Sequence, residues 1–448
     1  MYRELKHVID TTPMCDTHEH LWSEETWIRD GPDILQDLFD NYIKADLVVA
    51  GAAPEAVERA LDGRDPDLAG RFRGIEKAWQ MVRHTGYGEA VSALARLVYG
   101  IEEITMEALE AARHRTLELR RPGERLRLLK EVARLDHVQI DNFCWPCHPD
   151  PSGFDFFLYD IHWSNFVWGE IDPQALEQET GLRVSDLASL ESALEALVAK
   201  YGPVAIALKT NHAYGRTLAW EARPPVDVSR ALAVILAHPE NATEADYLTV
   251  GDWCLAKGAE LAIQYKLPIK IHTGYYAGYG QMPVEWIRPG HLTALFRAYP
   301  QCRFVLMHMG YPYTGELLAV AKHYPNVWVD LCWAWSIDPR STVEFVRRFL
   351  HTAPSNKLLG FGGDTFWPTS VVAYAHQARA RLYQALAEEI REGELTEKQA
   401  IAVATRWLRE NQYELFDLHG TREAIQKAAR PDAVKKTSRR RAFLPDLA

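Results

Sequence analysis

The chain has little cysteine: 6 cysteines in 448 residues. So few in a long chain do not predict a disulfide framework. Cys144 and Cys147 form a CxxC pair, but the sequence has no second CxxC to complete a zinc knuckle. The run from His148 to Pro151 that follows is typical of a loop. We therefore favour neither a redox nor a zinc role for this pair.

Long apolar runs and an excess of positive charge are also missing. No stretch reaches membrane-spanning length, and no basic segment followed by an apolar one opens the chain, which predicts a cytoplasmic protein with no membrane partner. The 61 acidic residues outnumber 50 basic ones, for a net charge of −11. This balance argues against nucleic acid as the main partner. A short basic cluster, Lys435 and Lys436 with Arg439 to Arg441, is predicted to be a solvated tail rather than a binding arm.

What the chain does contain is an alternation of apolar runs and helical patterns, which is typical of βα repeats around a parallel sheet. Helical patterns separate the later runs and recur near the C-terminus, over 228–237, 242–265, 291–299, 314–323, 341–351, 372–392 and 397–415. The candidate strands are a run into His18, then 46–49, 138–141, 204–208, 267–271, 303–307, 327–331 and 358–363.

These patterns predict a single α/β domain over 1–448, a distorted (β/α)8 TIM barrel. Such barrels often exceed 250 residues, so the length fits one unit. Residues 54–135 are mostly helical in pattern, and we predict a helical insertion there, between early strands. Residues 143–168 are predicted to be a long aromatic loop. The last helical patterns predict C-terminal helices.

Polar residues stand where five of the predicted strands end: His18 and His20, then Lys209, His272, His308 and Asp364. In a TIM barrel, active-site residues collect at the carboxyl ends of the strands. Two histidines at i and i+2 also share one face of a strand. Each residue alone has another interpretation: a core histidine, a surface lysine, or for Asp364 a helix N-cap. We predict that His212, His291 and His323 are ordinary surface residues.

Imidazole nitrogens and a carboxylate oxygen suit one divalent metal, with zinc favoured and manganese, iron or nickel as alternatives. We predict that His18, His20, His272 and Asp364 hold it. A bound metal lowers the pKa of its water toward neutrality, giving a hydroxide nucleophile whose proton Asp364 could take. His308 could act as an acid/base, orient the substrate oxygen or bind a second metal. Lys209 could hold a substrate carboxylate or, as a carbamate, bridge two metals.

The arrangement resembles the amidohydrolase superfamily, and within it the amidohydrolase-2 group. It is most similar to the amidohydrolase domains linked to glutamine synthetase in fungi and plants, while its helical segment is similar to that of uronate isomerases. The motifs that carry these resemblances are Lys209 followed by Ala213-Tyr214, His272-Thr273-Gly274, His308 to Tyr313, Pro325 to Leu331, Thr85 to Ala90 and Tyr99 to Ile101.

The resemblance implies the same four metal ligands, with His308 as the acid/base or substrate-orienting residue. Binuclear members carry a carbamylated lysine that bridges two metals. We favour one metal, because the Lys-x-x-x-Ala-Tyr context around Lys209 looks like the mononuclear subgroup.

The predicted function is hydrolysis of an amide, lactone or related acyl carbon. Lys209 and Arg216 suggest a small, carboxylated substrate, since lysine offers a point charge and arginine a bidentate fork. Tyr214 and Trp367 are further candidates to bind it. A non-oxidative decarboxylase or a uronate-type isomerase is the alternative on the same barrel, and a catalytically inactive binding barrel is the third. A homo-oligomer is compatible with the sequence.

Overall fold

The structure, a computed structural model, describes residues 2–429. The basic cluster at 435–441 lies outside this range. Among the helices between residues 2 and 429, none is long and apolar enough to cross a membrane.

Parallel strands form the centre of the molecule, and neighbours in the sheet are also neighbours in sequence, from β1 to β8. The order confirms the predicted (β/α)8 barrel. Register shifts interrupt the β1–β2 and β3–β4 ladders, so the barrel is distorted as expected. The strands are β1 Met14–Glu19, β2 Leu135–Ile140, β3 Phe157–His162, β4 Ala205–Thr210, β5 Ile269–Ile271, β6 Phe304–Leu306, β7 Val327–Asp330 and β8 Leu358–Leu359.

Main-chain hydrogen bonds join β1 to the segment that follows the short strand β8. Thr17 N–H donates to the Phe361 carbonyl at 3.0 Å, and Asp364 N–H donates to the His18 carbonyl at 2.9 Å. His20 N–H then donates to the Thr365 carbonyl at 2.9 Å. The segment after β8 is therefore held against the end of β1, which brings the predicted residues of these two strands together.

Helix α1, Arg3–Thr11, precedes β1, and a helical segment then fills the chain between β1 and β2. This segment begins at residue 24, earlier than the predicted insertion at 54–135. Its helices are α2 Glu24–Asp30, α3 Ile34–Phe39, α4 Ile43–Val49, α5 Pro54–Ala60, α6 Leu68–Val82, α7 Gly86–Leu94, α8 Met106–Ala112, α9 Arg115–Leu119 and α10 Glu124–Arg127, with short π-helices at Ala95–Tyr99 and Leu128–Val132.

The predicted strand at 46–49 is wrong, because these residues lie in α4. Ile43, Ala45 and Leu47 are buried, whereas Val49 is 77% exposed. A strand of a closed barrel is buried on both faces, so the exposed valine is incompatible with that assignment.

The remaining helices surround the barrel. They include one or more helices in each predicted helical pattern from 228–237 to 397–415, whereas the helices at 164–168, 173–180, 187–201, 334–337 and 418–428 were not predicted. Side-chain caps begin several of them; Thr243 and Asp246, for example, form a reciprocal capping box at the start of α15. They are α11 Ser164–Trp168, α12 Pro173–Thr180, α13 Leu187–Tyr201, α14 Pro225–Ala237, α15 Glu244–Tyr265, α16 Thr293–Ala298, α17 Thr314–His323, α18 Ala334–Ile337, α19 Pro339–Thr352, α20 Pro368–Glu392, α21 Glu397–Thr405, α22 Asn411–Leu415 and α23 Leu418–Ala428.

The predicted aromatic loop over 143–168 contains a strand, β3, and this part of the prediction is wrong. Asp160 interrupts the apolar run and hides the strand in the sequence. In the barrel this carboxylate is fully buried and lies 2.8 Å from Lys270 Nζ on β5. A buried charge needs such a partner, and the partner is more than a hundred residues away in the chain.

Candidate metal centre

Three predicted ligands converge at the point where β1 and β8 end. Asp364 Oδ1 lies 3.2 Å from His18 Nε2 and 3.2 Å from His20 Nε2. The ligand atoms of the three side chains all lie within 4.8 Å of one another. Two imidazole nitrogens and a carboxylate oxygen at this spacing fit a single divalent ion with positions left for water or substrate.

The orientation of His20 also suits a metal ligand. Its Nδ1 lies 2.6 Å from the main-chain carbonyl of Asp141, which can only accept, so Nδ1 donates and Nε2 keeps its lone pair. The His20 ring stacks with two phenylalanine rings. The distance between centroids is 4.2 Å for Phe143 and 5.4 Å for Phe366. The ring of His20 is thus fixed by one hydrogen bond and two aromatic contacts.

The electrostatics favour a neutral His18 beside an ionised Asp364. Burial, with the nearby Lys209, lowers the pKa of His18. Burial opposes ionisation of Asp364 too, but the neighbouring His18 and His20 outweigh it and hold the pKa of this carboxyl well below its usual value. Neutral imidazole and ionised carboxylate are the forms that bind a metal.

His308 and His272 lie side by side next to this triangle, with 4.4 Å between ring centroids. His308 Nδ1 donates to the Cys332 carbonyl at 2.9 Å, and Nε2 faces Asp364 Oδ2 at 3.7 Å. His272 Nε2 donates to the Tyr275 carbonyl at 3.0 Å. Burial lowers the pKa of both, that of His308 to about 4. The structure therefore groups three of the four predicted ligands and places His272 beside His308.

Lys209 is buried within the site rather than on the surface. Its Nζ lies 3.4 Å from His18 Nε2 and 3.9 Å from Asp141 Oδ2. Asp141 follows β2, and its carboxylate oxygens lie 3.0 and 3.1 Å from Nδ1 of His162, the last residue of β3.

Neither Asp141 nor His162 is among the site residues predicted from the sequence. Asp141 ended a predicted strand and could have been found by the rule that found the others. His162 was hidden because β3 itself was missed.

The three residues predicted to bind the substrate make different contacts from one another. Arg216 is buried, and its guanidinium pairs with Asp252 at 2.6 Å while donating to the main-chain carbonyls of Val167 and Ala219. Tyr214 is close to the site, since its ring lies 4.7 Å from that of His272. Trp367 donates to the Asp40 carbonyl at 3.2 Å and packs against Trp22.

The three histidines predicted to be ordinary surface residues differ in burial. The prediction is wrong for His212, which is 1% exposed and hydrogen-bonds with Thr210 Oγ1 at 3.0 Å. His323 is exposed, and His291 is half-buried.

The chain is a TIM barrel with histidines and an aspartate grouped at its strand ends as a candidate metal centre, and comparison with known proteins gives its family. The chain belongs to the amidohydrolase family, whose model, described as Amidohydrolase, matches residues 182–405. This confirms the resemblance found in the sequence.

One curated relative is Protein fluG of Emericella nidulans, 31% identical over 175 residues, which are 39% of this chain and 20% of that protein. The chain thus spans about a fifth of the relative's length.

Two solved structures share the whole fold. Uronate isomerase from Thermotoga maritima has a TM-score of 0.78 and 13% sequence identity, over 93% of this chain and 97% of that one. Glucuronate isomerase from Caulobacter crescentus has a TM-score of 0.74 and 15% identity, over 96% of this chain and 95% of that one. At these identities the likeness shows the fold.

Proposed function

We propose that the chain is a metal-dependent hydrolase that acts on an acyl carbon of a small, polar substrate. The convergence of His18, His20 and Asp364 within 4.8 Å carries this proposal. A divalent ion in this triangle, with zinc favoured, would supply Lewis acidity that polarises an acyl oxygen and acidifies water.

The residues around the triangle suit the other tasks of hydrolysis. Asp364 directs Oδ1 at His18 and His20 and Oδ2 at His308, so one oxygen can bind the ion while the other exchanges a proton. His308 keeps a free Nε2 because its Nδ1 is bound to a main-chain carbonyl. A neutral imidazole in this position can orient the substrate oxygen or stabilise charge that develops on it.

We propose one ion rather than two. The short contacts of Asp364 Oδ1 with His18 and His20 describe a single compact position. Lys209 is close enough to this position to hold a substrate carboxylate. A carbamate on Lys209 would be the alternative, with His272 and His308 around a second ion.

A second candidate function is aldose–ketose isomerisation of a uronic acid. The two uronate isomerases that share the fold do so over nearly their full length, which includes the helical segment between β1 and β2. Isomerisation would leave the mass of the substrate unchanged, hydrolysis would add water, and decarboxylation would release carbon dioxide. An inactive binding barrel would bind a ligand without converting it.

Metal content per chain, measured by elemental mass spectrometry on untagged protein, tests the proposal first. We expect about one ion per chain in the native protein and in Lys209→Met. We then expect the native protein to hydrolyse amides or lactones, which mass spectrometry detects as the addition of water. Two ions that fall to one or none in Lys209→Met would establish the binuclear alternative. No bound metal after addition of zinc or manganese would reject the hydrolase proposal.

A further inference from the structure

The histidines of the candidate metal centre differ in what orients their rings. His20, His272 and His308 each direct one ring nitrogen at a main-chain carbonyl, at 2.6, 3.0 and 2.9 Å. The ring of His18 has a different arrangement, in which Nε2 faces Asp364 Oδ1 at 3.2 Å and Nδ1 is buried on the opposite side. In the part of the chain that the structure describes, no hydrogen bond to Nδ1 orients this ring.

The acceptor that faces His18 Nδ1 is a carboxylate. Asp160 Oδ2 lies 3.9 Å from this nitrogen, and both side chains are fully buried. A metal ion on Nε2 leaves the proton of the neutral ring on Nδ1, which makes Nδ1 a hydrogen-bond donor. A buried donor without an acceptor is costly. A hydrogen bond of about 2.9 Å between the two atoms requires a shift of only about 1 Å.

A buried lysine fixes the position of this carboxylate. Lys270 Nζ donates to the two oxygens of Asp160, at 2.9 and 2.8 Å, and to the main-chain carbonyl of Thr17 at 2.7 Å. Thr17 precedes His18 on β1, so the lysine joins the carboxylate to the strand that carries the histidine. The residues lie on β1, β3 and β5, and alternate strands supply one layer of side chains inside a TIM barrel.

Stability of the barrel alone does not explain the pair of Asp160 and Lys270. Removing two charges from water is costly, and apolar side chains of similar volume are often at least as stabilising as a buried ion pair. A metal-binding histidine, in contrast, gains from a carboxylate on its second nitrogen, which fixes the tautomer and orientation of the ring and makes it a stronger ligand.

We propose that Asp160, held in place by Lys270, is the positioning residue of His18, and that His18 Nδ1–H donates to Asp160 Oδ2 when a metal ion binds Nε2. The inference rests on the proposed metal-dependent function. It gives the first-strand ligand the orienting acceptor that main-chain carbonyls provide for the other three histidines.

Zinc affinity of the full chain, measured by competition with a chromogenic chelator, tests the inference. In Asp160→Asn the amide oxygen is drawn to Lys270 Nζ, which turns the amide NH₂ group toward His18 Nδ1–H. Two donors then face each other, and we expect the dissociation constant for zinc to rise about 10- to 100-fold, the usual effect of losing such a partner. Asp150→Asn is the matched control, because it breaks a different buried ion pair, with Arg125 at 3.0 Å, that includes no predicted ligand.

A second variant keeps the test decisive if Asp160→Asn does not fold. Asp160→Val combined with Lys270→Met replaces the buried pair by apolar side chains, which a barrel core accommodates. It also removes the acceptor for His18, so we expect the same loss of zinc affinity. In ¹⁵N-histidine-labelled protein loaded with zinc, the hydrogen-bonded Nδ1 proton of His18 should give a strongly downfield signal that is absent from both variants.

Zinc binding by both variants as tight as by Asp150→Asn would overturn the inference and assign Asp160 and Lys270 to the barrel core alone. A downfield signal that persists in both variants would overturn it as well. Because zinc affinity is measured rather than turnover, a failure of the proposed hydrolysis does not affect this test. A native chain that binds no zinc would reject the metal centre and the inference together.

Discussion

The two halves of the barrel mouth are built on different principles. In the half formed by β1, β6 and β8, main-chain carbonyls fix one nitrogen of His20 and of His308, and the other nitrogen of each ring faces the Asp364 carboxylate, at 3.2 and 3.7 Å. In the half formed by β2, β3 and β4, the polar side chains satisfy one another, since Asp141 lies 3.0 Å from His162 and 3.9 Å from Lys209. We propose that the first half receives a metal ion and that the second holds its own geometry.

Asp141 connects the halves. Its carbonyl accepts from His20, its carboxylate pairs with His162, and its N–H donates to the Glu19 carbonyl at 2.9 Å. The second half also contacts the first through Lys209, whose Nζ lies 3.4 Å from His18 Nε2. Substitutions on the two sides should nevertheless have different consequences.

The largest effect is expected in the first half. His18→Ala removes a buried ligand from the triangle, so we expect loss of bound metal and of activity together. Asp364→Asn removes the ionised oxygen and should also abolish activity. Elemental analysis and a turnover assay measure both, with His323→Ala as the control because this side chain is exposed. Full metal content in His18→Ala would contradict the assignment of β1 as the anchor.

The same division explains how far the sequence could predict the site. Lys209, His272 and His308 are predictable because each directly follows an apolar run. His18 is predictable because it begins a His-x-His motif. The pairing of Asp160 with Lys270 and of Arg216 with Asp252 depends on residues far apart in the chain. No local pattern in the sequence reveals such pairs. For this reason the sequence predicts a loop where β3 lies, and it predicts substrate binding for Arg216.

The backbone conformation of Trp333 cannot be predicted from the sequence either. The left-handed backbone of Trp333 depends on a contact between β7 and the segment after β8, where Trp333 N–H donates to the Gly362 carbonyl at 2.8 Å. A tryptophan after an apolar run has nothing in its sequence context that predicts this.

In the second half we expect a smaller effect. Asp141→Asn keeps the carbonyl that orients His20 but removes the charge that holds His162 and Lys209. Metal content should stay near the native value while activity falls about 10- to 100-fold, the usual effect of losing a partner behind the ligands. Adding His162→Asn to Asp141→Asn should cost less than the sum of the single effects if the two residues act as a pair.

Asp186→Asn is the matched control for this series, because Asp186 is an exposed helix N-cap and asparagine caps equally well. Loss of metal in Asp141→Asn would show instead that the two halves are not separable.

The smallest expected effect concerns the different pKa values of two buried carboxyl groups on neighbouring strands. Asp364 follows β8, and Asp330 ends β7. Histidines hold the pKa of Asp364 low, whereas burial raises the pKa of Asp330 to about 7. Asp330 is then protonated in the folded state at a pH where it is ionised in the unfolded chain. Its contribution to stability is complete below about pH 4 and is lost as the pH rises through 7.

Between these limits the free energy of unfolding should fall by at most about 1.4 kcal/mol per pH unit on account of this group. Asp330→Asn keeps an acceptor for the Cys332 N–H, which lies 2.8 Å from Asp330 Oδ1, but cannot titrate. Urea unfolding of metal-free protein from pH 5 to 8 should therefore give a flatter dependence for Asp330→Asn than for the native chain. Equal slopes of the free energy of unfolding against pH would mean that Asp330 is ionised in the folded state, as Asp364 is. Burial would then not distinguish Asp330 from Asp364, the carboxyl group that faces the histidines.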